Sequence, residues 1–352
     1  MSAPSRDRVT IRDIAERAGV SKGAVSYALN GRPGVSDATR ERILSIAKEL
    51  GWYPNRAARA LSAARADACG LVLARQARTL AIEPFFMEFI AGAESELAAR
   101  SMALTIQLVG SVEQEIAVYR RWWGERRVDG VLMIDLRVDD PRIAELQRLE
   151  LPAVVVGGPV PGGKIPSVWH DQASVIIEAV RYLAALGHER IAHVAGVADF
   201  VHTMQRSEAF SRAMRELELV PETMATDYTP ESGARATRRL LTQPEPPTAI
   251  IFDSDVLAVT GLGVTQQMGF QVPDDVSIVG WDDSLISQVV HPPLTAITRD
   301  IASYGVLTTK HLLAVIEGEV SGDIEAPRGE LTPRGSTARL RPPARLATAP
   351  RR

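Results

Sequence analysis

Residues 9–30 of the chain read VTIRDIAERAGVSKGAVSYALN, and this stretch predicts two short helices joined by a tight turn. Thr10 and Asp13 fit a capping box at the start of the first helix. Gly19 can adopt the left-handed backbone with which many helices end. Four apolar residues at i, i+3, i+4 and i+7 share one face of this helix: Ile11, Ile14, Ala15 and Ala18.

A second helix is predicted to begin after Ser21, because serine is a favoured N-cap residue. Its apolar positions are Ala24, Val25, Ala28 and Leu29. Its other positions face outward: Lys22, Gly23, Ser26, Tyr27 and Asn30. Ser36 begins a third helix, whose apolar positions are Ile43, Ile46, Ala47 and Leu50. We expect the three apolar faces to form one small core.

Two short helices joined by a glycine turn are typical of the helix-turn-helix. That motif lays its second helix in the major groove of DNA, with the N-terminal residues at the base edges. Helix pairs with glycine turns are common, so this pattern alone leaves a generic three-helix bundle open.

The charge of the chain is distributed unevenly. The formal net charge is -3, but residues 1–66 hold 12 Lys and Arg against 6 Asp and Glu, a net of +6, which leaves -9 for the remainder. A basic segment on an acidic body is expected when one end of a protein meets a polyanion. A charged helical surface would give the same count, so charge alone does not decide.

The N-terminal sequence resembles the DNA-binding head of the lactose-repressor/galactose-repressor (LacI/GalR) family of bacterial transcriptional regulators. The similarity covers about fifty consecutive positions, which makes it far more specific than a helix-turn-helix pattern. Beyond residues 9–21, it is carried by Val25-Ser26, Leu29-Asn30, Val35-Ser36, Thr39-Arg40 and Tyr53-Pro54-Asn55. It implies a ligand-responsive regulator, most often a repressor, that binds a double-stranded DNA operator.

The resemblance implies a set of DNA-contacting residues in this head: Thr10, Ser21, Lys22, Gly23, Ser26, Tyr27 and Asn30. In the family, the positions of Lys22, Gly23 and Tyr27 read bases, and those of Ser21, Ser26 and Asn30 lie nearer the phosphates. Tyr27 stands where the family usually has an arginine, so the bidentate guanine contact of that arginine is lost. Gly23 has no side chain, and the operator sequence is therefore not predicted.

Residues 55–62 read NRAARALS, which is short for a stable helix, since isolated helices below about 12 residues are marginal in water. In the family this segment is a hinge helix that folds on the operator. Leu61 matches the leucine that wedges into the minor groove, and Asn55, Arg56 and Ala58 are assigned to the same contact. Composition alone would favour an alanine-rich linker.

The whole-chain totals exclude several classes of protein. A length of 352 residues suggests two or three domains. No apolar run reaches the roughly 18 residues of a spanning helix, and the first residues lack the apolar stretch of a secretory signal. A single cysteine, Cys69, cannot form an internal disulfide. We expect a cytoplasmic protein that does not contact a membrane.

From residue 68 onward, short apolar runs alternate with amphipathic stretches. Strands are predicted at 70–74, 103–109, 130–134, 153–156, 190–195, 248–252, 276–280 and 295–298. Helices are predicted at 87–100, 113–124, 172–186, 207–219, 256–268 and 301–317. This alternation predicts parallel sheets covered by helices on both faces.

Together with the resemblance, the pattern predicts a small all-α helix-turn-helix head and an α/β, two-lobed, periplasmic-binding-protein-like sensor domain. The resemblance implies that the chain crosses between the lobes near Ser167 and around Thr298. The expected boundaries are 1–54 for the head, 55–67 for the hinge, 68–340 for the sensor and dimerisation domain, and 341–352 for a disordered tail.

No catalytic signature stands out. The sequence contains neither a Walker loop nor a Gly-x-Ser-x-Gly elbow. Gly261 and Gly263 lack the third glycine of a dinucleotide fingerprint, and the spacing of His188 and His193 does not fit a zinc protease. We expect no enzyme, no cofactor and no metal, but a small-molecule effector.

The resemblance assigns nine residues to effector binding: Phe85, Phe86, Asp171, Arg206, Tyr228, Ser254, Asp255, Asp282 and Arg299. Aromatic faces combined with charged groups suit a sugar or sugar derivative. Asp255 and Asp282 follow strands, where a carboxylate often caps the next helix instead. Ser254 stands where the family usually has asparagine, so its hydrogen-bonding side chain is shorter. Arg299 stands where the family often has glutamine, and an added guanidinium favours a carboxylated or phosphorylated ligand.

The family implies a homodimer on a pseudopalindromic operator. Residues 334–337 resemble its closing motif, and no heptad repeat follows that would predict a larger assembly. Effector binding would change operator affinity by allosteric coupling, typically worth about 1–3 kcal/mol. A sugar-binding transport receptor and an α/β enzyme are the alternatives; the basic head argues against the first and the missing motifs against the second.

Overall fold

The structure is a computed structural model that describes residues 9–52, 65–75, 77–160, 162, 165–319 and 322–340. Contacts divide the chain into two units, Met1–Ala66 and Asp67–Arg352, called here the N-terminal and C-terminal units. The predicted hinge contacts, Asn55, Arg56, Ala58 and Leu61, lie outside the described residues, as does the predicted tail at 341–352.

The N-terminal unit contains the three predicted helices: α1 (Ile11–Ala18), α2 (Lys22–Leu29) and α3 (Asp37–Glu49). Gly19 ends α1 with a φ of 64°, as expected for a left-handed cap. The predicted apolar faces form one core, whose buried members are Ile14, Ala15, Ala18, Val25, Ala28, Ile43 and Ala47. Ile11 is exposed because it is the first residue of α1, at the rim of this core.

The C-terminal unit contains two six-stranded sheets. The first has the order β11-β5-β4-β3-β1-β2 and is parallel throughout. The second has the order β12-β10-β9-β8-β6-β7 and is parallel except for β12. The strands are β1 (Ala68–Leu73), β2 (Ala103–Leu108), β3 (Gly130–Met133), β4 (Ala153–Val156), β5 (Ser167–Trp169), β6 (Ile191–Ala195), β7 (Glu222–Ala225), β8 (Ala249–Phe252), β9 (Ser277–Asp282), β10 (Thr295–Thr298), β11 (Ile324–Glu325) and β12 (Glu330–Thr332).

Helices cover both faces of each sheet, which confirms the predicted α/β architecture. Lobe 1 is the first sheet with α5, α6, α7 and α13, and lobe 2 is the second sheet with α8 to α11. The helices are α4 (Ala77–Ile82), α5 (Pro84–Ala99), α6 (Val112–Gly124), α7 (Pro141–Leu149), α8 (Gln172–Ala185), α9 (Val201–Glu216), α10 (Pro230–Leu241), α11 (Asp255–Gln267), α12 (Leu285–Val289) and α13 (Ile301–Ile316). Within the described part of the chain, no helix is both long and apolar enough to cross a membrane.

The chain passes between the lobes three times, after β5, after β10 and between β11 and β12. The first two crossings lie where the resemblance implies them, and the third is additional. The crossings touch one another: His170 Nδ1 lies 2.8 Å from the carbonyl oxygen of Pro327, and the His170 ring centroid lies 4.2 Å from that of Tyr304. The crossings between the lobes therefore form one connected region.

The short strands β5, β7, β11 and β12 were not predicted from the sequence, and neither were the helices α4, α7, α10 and α12. β7 alternates between half-buried and exposed residues instead of forming an apolar run. Strands of two to four residues at the edges and crossings carry too few apolar residues to give a pattern.

Candidate functional site

The outer face of α2 is the first candidate site. Ser21 caps this helix by accepting a hydrogen bond from the Ala24 backbone amide (3.1 Å). Near its other end, Asn30 Nδ2 donates to the Ser26 carbonyl oxygen (2.8 Å). Lys22 and Gly23 are exposed at the N-terminal end, which is the end that a helix-turn-helix presents to base edges.

Thr10 and Tyr27 have local contacts of their own. The Thr10 backbone amide and hydroxyl both donate to Asp13 Oδ2 (2.7 and 2.8 Å), and these bonds hold the pKa of Asp13 below its usual value. Tyr27 is 45% exposed. A Cβ at Gly34 would lie 3.2 Å from its ring, so the ring packs on the turn after α2 and keeps its other side free.

The second candidate site is a cavity between the two lobes, called here the cleft. It lies at the carboxyl ends of both sheets, where the strand order reverses between β1 and β3 and between β6 and β8. Parallel sheets bind ligands at such points. Counting the space that opens to solvent, the cleft encloses about 680 Å³. Seven of the nine predicted effector residues line it: Phe85, Phe86, Arg206, Tyr228, Ser254, Asp282 and Arg299.

Asp171 and Asp255 are absent from that lining and have other partners. Asp171 caps α8 by accepting a hydrogen bond from the Ser174 amide (3.0 Å). Asp255 is buried and accepts hydrogen bonds from the amides of Trp281 (3.1 Å) and Ser284 (2.6 Å). Burial, opposed by the Ser284 hydrogen bonds, raises the pKa of Asp255 to about 7. Both carboxylates organise backbone rather than face the cavity.

Arg75 enters the cleft from the end of β1, and the sequence analysis missed it. Its Nε and Nη2 donate to Oδ2 and Oδ1 of Asp135 (2.8 and 3.0 Å). Burial alone would raise the pKa of Asp135, but the charge of Arg75 and its hydrogen bonds hold that pKa below its usual value. The Arg75 guanidinium also lies 4.7 Å from the Phe200 ring centroid and 5.1 Å from that of Tyr228. Because both rings belong to lobe 2, Arg75 connects the lobes.

Arg206 is held from three sides on α9. Its Nε donates to Gln172 Oε1 (2.9 Å), and its Nη1 donates to the Asp253 carbonyl oxygen (3.0 Å). Its guanidinium carbon lies 3.8 Å from the Trp281 ring centroid, a close cation–π contact. Because these contacts hold the Arg206 guanidinium in place, its remaining nitrogen, Nη2, points in a fixed direction.

The Asp253 carboxylate completes this group. Its Oδ1 lies 3.4 Å from Arg206 Nη1 and 2.9 Å from Nε2 of the buried His193, and its Oδ2 accepts from the Gly196 amide (3.0 Å). Burial would raise the pKa of Asp253, but the charges of His193 and Arg206 hold it far below its usual value. The carboxylate is therefore ionised inside the protein.

Arg299 is paired in the same way. Its Nε donates to Asp282 Oδ1 (2.7 Å), and its Nη2 contacts the same oxygen. The guanidinium lies 6.0 Å from the Phe85 ring centroid. This pairing argues against the expectation that Arg299 favours an acidic ligand, because its charge is already balanced.

Three residues of the lining have left-handed backbone: Asp135 (φ 57°), Tyr228 (φ 65°) and Asp282 (φ 82°). Such conformations are uncommon for residues other than glycine and gather at functional sites. Gly196 makes room for one of them, since a Cβ there would lie 1.9 Å from the Tyr228 ring. The backbone around the cleft therefore adopts uncommon conformations at the residues that place the Tyr228 ring and the Asp135 and Asp282 carboxylates.

His202 and Glu83 are two further residues of the lining whose pKa values are strongly shifted. Burial, with a smaller contribution from the charge of Arg206, lowers the pKa of His202 to about 3, and its Nε2 lies 3.0 Å from the Tyr228 hydroxyl. Burial and the nearby Asp282 and Asp255 raise the pKa of Glu83 to about 8. Shifts of this size are typical of functional sites.

The sequence analysis missed eight polar residues of the lining: Arg75, Thr79, Glu83, Asp135, Gln172, His202, Asp253 and Tyr304. Arg75, Asp135 and Asp253 stand one or two residues beyond the ends of β1, β3 and β8, so the carboxyl-end rule could have found them. The others come from helices or loops and have no such signal. The described residues contain no cluster of three or more His, Cys, Asp or Glu side chains that could hold a metal ion.

Two family descriptions match the chain. Residues 10–55 match the bacterial regulatory proteins of the lacI family, and residues 180–337 match a periplasmic binding protein-like domain. The chain is 33% identical to the HTH-type transcriptional regulator CelR of Thermobifida fusca over 321 residues, which are 90% of this chain and 94% of that protein. It is 31% identical to the HTH-type transcriptional repressor CytR of Escherichia coli over 341 residues, which are 94% of this chain and 97% of that protein.

Solved structures agree with this similarity. The Lac repressor dimer bound to operator and the anti-inducer ONPF superposes with a TM-score of 0.82 at 26% identity, covering 94% of this chain and 100% of that chain. The complex of CelR with cellobiose superposes with a TM-score of 0.72 at 30% identity and the same coverage.

Proposed function

The chain belongs to the LacI family of bacterial transcriptional regulators, which are not enzymes, and on that premise we propose that it represses transcription as a homodimer on a pseudopalindromic operator. A small metabolite in the cleft, a sugar or sugar derivative, controls operator affinity. The observation that carries this proposal is the combination, in one chain, of an exposed helix-turn-helix and a cleft with rigidly held hydrogen-bond donors. A regulator of this kind acts where the chromosome is, in the cytoplasm.

The exposed residues of α2 support operator binding. Lys22 and Gly23 leave the N-terminal end of the helix open for close approach, and the Tyr27 ring is held against the following turn. Two such helices related by a two-fold axis would read two half-sites about one helical turn of DNA apart. The hinge contacts proposed for Asn55, Arg56, Ala58 and Leu61 would add binding in the minor groove.

The lining of the cleft supports a polyhydroxylated ligand. Phe85 and Phe86 offer apolar faces, while Arg206 and Asp282 offer a donor and acceptors from the opposite lobe. CelR is solved with cellobiose, so cellobiose is the first ligand to test.

Exposed apolar side chains support the dimer. Leu285 and Val289 on α12 are 73% and 70% exposed, and Met87 on α5 is 62% exposed. Side chains of this kind are costly in water and favourable at a subunit interface. The Lac repressor is solved as a dimer, and this chain is proposed to pair through the same kind of surface.

Contacts across the cleft provide a route for coupling. The Val201 amide donates to the Leu136 carbonyl oxygen (2.8 Å), and the Val138 amide donates to the Asp199 carbonyl oxygen (3.0 Å). A ligand that changes the closure of the lobes must strain or tighten these bonds. We propose that the movement reaches the dimer surface and changes the spacing of the two DNA-binding heads, the coupling being worth about 1–3 kcal/mol.

Selection of genomic DNA fragments on the full-length protein, followed by fluorescence anisotropy with the retained fragment, tests the proposal. Affinity should fall by roughly 10³-fold or more between about 50 and 200 mM salt, because counterions are released from the phosphates. Cellobiose and a set of common metabolites are then added, and one of them should change the operator affinity about 5- to 150-fold.

Lys22→Ala should weaken the complex, whereas Lys48→Ala, at the exposed end of α3, should have little effect. Binding that does not depend on salt, or the absence of any retained fragment, would contradict the proposed DNA binding. An operator complex that no metabolite changes would contradict the proposed effector control.

A further inference from the structure

Glu83 is a buried acid that lines the cleft, and one of its two carboxylate oxygens has no partner among the described residues. It precedes α5 but makes no side-chain cap, and its side chain is only 8% exposed. Its Oε2 is buried without a hydrogen-bond partner among the described residues. Buried polar atoms nearly always have a partner, so an orphan atom on a residue that lines a cavity indicates an absent one.

The charged groups around Glu83 come from both lobes. Asp282 and Asp255 of lobe 2 disfavour its ionisation, while Arg75 and the Ser254 hydroxyl favour it to a smaller extent. Burial has the largest effect and also disfavours the charged form.

The positive charges of the three arginines in the cleft are already balanced by carboxylates of the protein. Each is matched by one aspartate of the lining, Arg75 by Asp135, Arg206 by Asp253 and Arg299 by Asp282. With Glu83 and His202 both neutral, the charges of the lining cancel. A carboxylate or phosphate would have to enter without a free cation to balance it.

Each arginine nevertheless keeps one terminal nitrogen for hydrogen bonding. Nη1 of Arg75, Nη2 of Arg206 and Nη1 of Arg299 have no hydrogen-bond partner in the described part of the chain. Paired guanidinium groups of this kind are good donors to neutral oxygens. Donors from three sides, the neutral Glu83 and the carboxylates that are already paired form the complement of an uncharged molecule with several hydroxyl groups.

We propose that the cleft selects an uncharged polyhydroxylated ligand over its carboxylated and phosphorylated analogues, and that Glu83 is the specificity-determining residue whose free oxygen binds a ligand hydroxyl. The proposal rests on the proposed function, since it names the ligand class of the same cleft.

A thermal experiment tests Glu83 without a ligand. The folded state holds the Glu83 proton more tightly than the unfolded state, so stability is lost as pH rises from about 4.5 towards 8. Glu83→Gln removes this loss. The variant should melt close to wild type at pH 5 and several degrees higher at pH 8. Glu94→Gln, an exposed change on the same helix, should follow wild type at every pH.

A calorimetric titration then tests the ligand class on the full-length protein. Glucose, galactose and cellobiose are compared with glucuronate, galacturonate and glucose 6-phosphate. Only uncharged sugars should bind to wild type, and Glu83→Gln should weaken the binding at least tenfold while Glu94→Gln does not change it.

Binding of any of the acidic sugars to wild type would overturn the ligand class. A Glu83→Gln protein that melts below wild type at every pH would show that Glu83 stabilises the fold and would overturn its role, whether or not any sugar binds. Either result leaves the operator experiment intact, so failure here is distinguishable from failure of the proposed regulation.

Discussion

The two candidate binding surfaces of this chain arrange their charges in opposite ways. On α2, Lys22 lies in solvent without a partner among the described residues. In the cleft, Arg75, Arg206 and Arg299 are each paired with an aspartate before any ligand arrives. DNA brings its own charges to an exposed surface and releases counterions there, whereas an unpaired charge inside a protein is costly.

This comparison predicts where substitutions affect stability and where they affect binding. Changes to the paired charges of the cleft should unfold the C-terminal unit. Changes on α2 should leave folding nearly intact and act on DNA affinity.

The largest expected effect follows removal of the Asp253 carboxylate. Asp253→Ala leaves Arg206 and His193 without their shared acceptor in a fully buried place. Loss of one partner of a buried pair costs about 3–5 kcal/mol, and urea unfolding should report that loss. Glu216→Gln is the matched control, because Glu216 pairs with Arg181 at the surface (3.3 Å) and should contribute less than about 1 kcal/mol. Similar losses in the two variants would refute the contrast between buried and exposed pairs.

His170 and His202 should each lower the stability of the C-terminal unit in acid, whereas Glu83 and Asp255 act in the opposite direction over part of the same pH range. Burial lowers the pKa of His170 and of His202 to about 3, so the unfolded chain binds their protons more readily. Stability should therefore be lost as pH falls from about 6.5 towards 3, by up to about 1.4 kcal/mol per pH unit for each histidine. All six histidines of the chain lie beyond residue 66.

Hydrogen exchange at pH 5 and pH 7, corrected for the intrinsic rate, measures these effects. Because Glu83 and Asp255 add stability over the same pH range, the effect of His202 is measured by comparing variants. Between pH 7 and pH 5, peptides around α9 should lose less protection, or gain more, in His202→Gln than in wild type, whereas His291→Gln, at an exposed position, should follow wild type. A His202→Gln protein whose protection changes with pH as in wild type would contradict the prediction.

A smaller effect, on DNA binding, is expected from Tyr27. Tyr27→Ala should weaken binding to the selected operator by about 1–3 kcal/mol and leave binding to an unrelated fragment nearly unchanged, if the residue reads sequence. Tyr27→Phe keeps the ring on the turn at Gly34 and separates packing from the hydroxyl contact. Equal losses on both DNA fragments would mean that Tyr27 does not contribute to specificity.

The smallest effect is expected from Asp171. Asp171→Ala removes the cap of α8 and should lower the free energy of unfolding by about 1 kcal/mol. Ser111→Ala removes the equivalent cap of α6 and should cost a similar amount. Calorimetry with the ligand that changes operator affinity should find unchanged binding in both variants. Weaker binding only in Asp171→Ala would return that residue to the effector site.

The sequence was sufficient where local signals agree with the fold. The capping residues, the glycine turn and the apolar spacing of residues 9–50 depend on neighbours three or four positions apart, and all three helices form as predicted. The apolar strands and their alternation with helices were equally clear from the sequence. Short edge strands such as β7 were missed because pairing with β6, not their own composition, makes them strands.

In the cleft, the family resemblance selected Arg206, Asp282 and Arg299, which all line the cavity, but it misjudged their charge balance. Arg299 considered alone favours an acidic ligand, whereas Arg299 paired with Asp282 gives no preference for an acidic ligand. Asp255 follows a strand in the expected place, and its oxygens accept hydrogen bonds from backbone amides 26 and 29 residues away, which agrees with the structural alternative left open for it.

The sequence by itself determined which kind of protein this is: a basic helix-turn-helix head followed by two α/β lobes, with seven residues of the cavity already named. Only the tertiary structure decided which charges are paired, which carboxylates serve the backbone, and which acid, Glu83, is left facing the cavity. The reason is physical. Helices and apolar strands can be recognised from the residue pattern of a single segment, while the charge of a buried cleft is the sum over side chains that only folding brings together from distant parts of the chain.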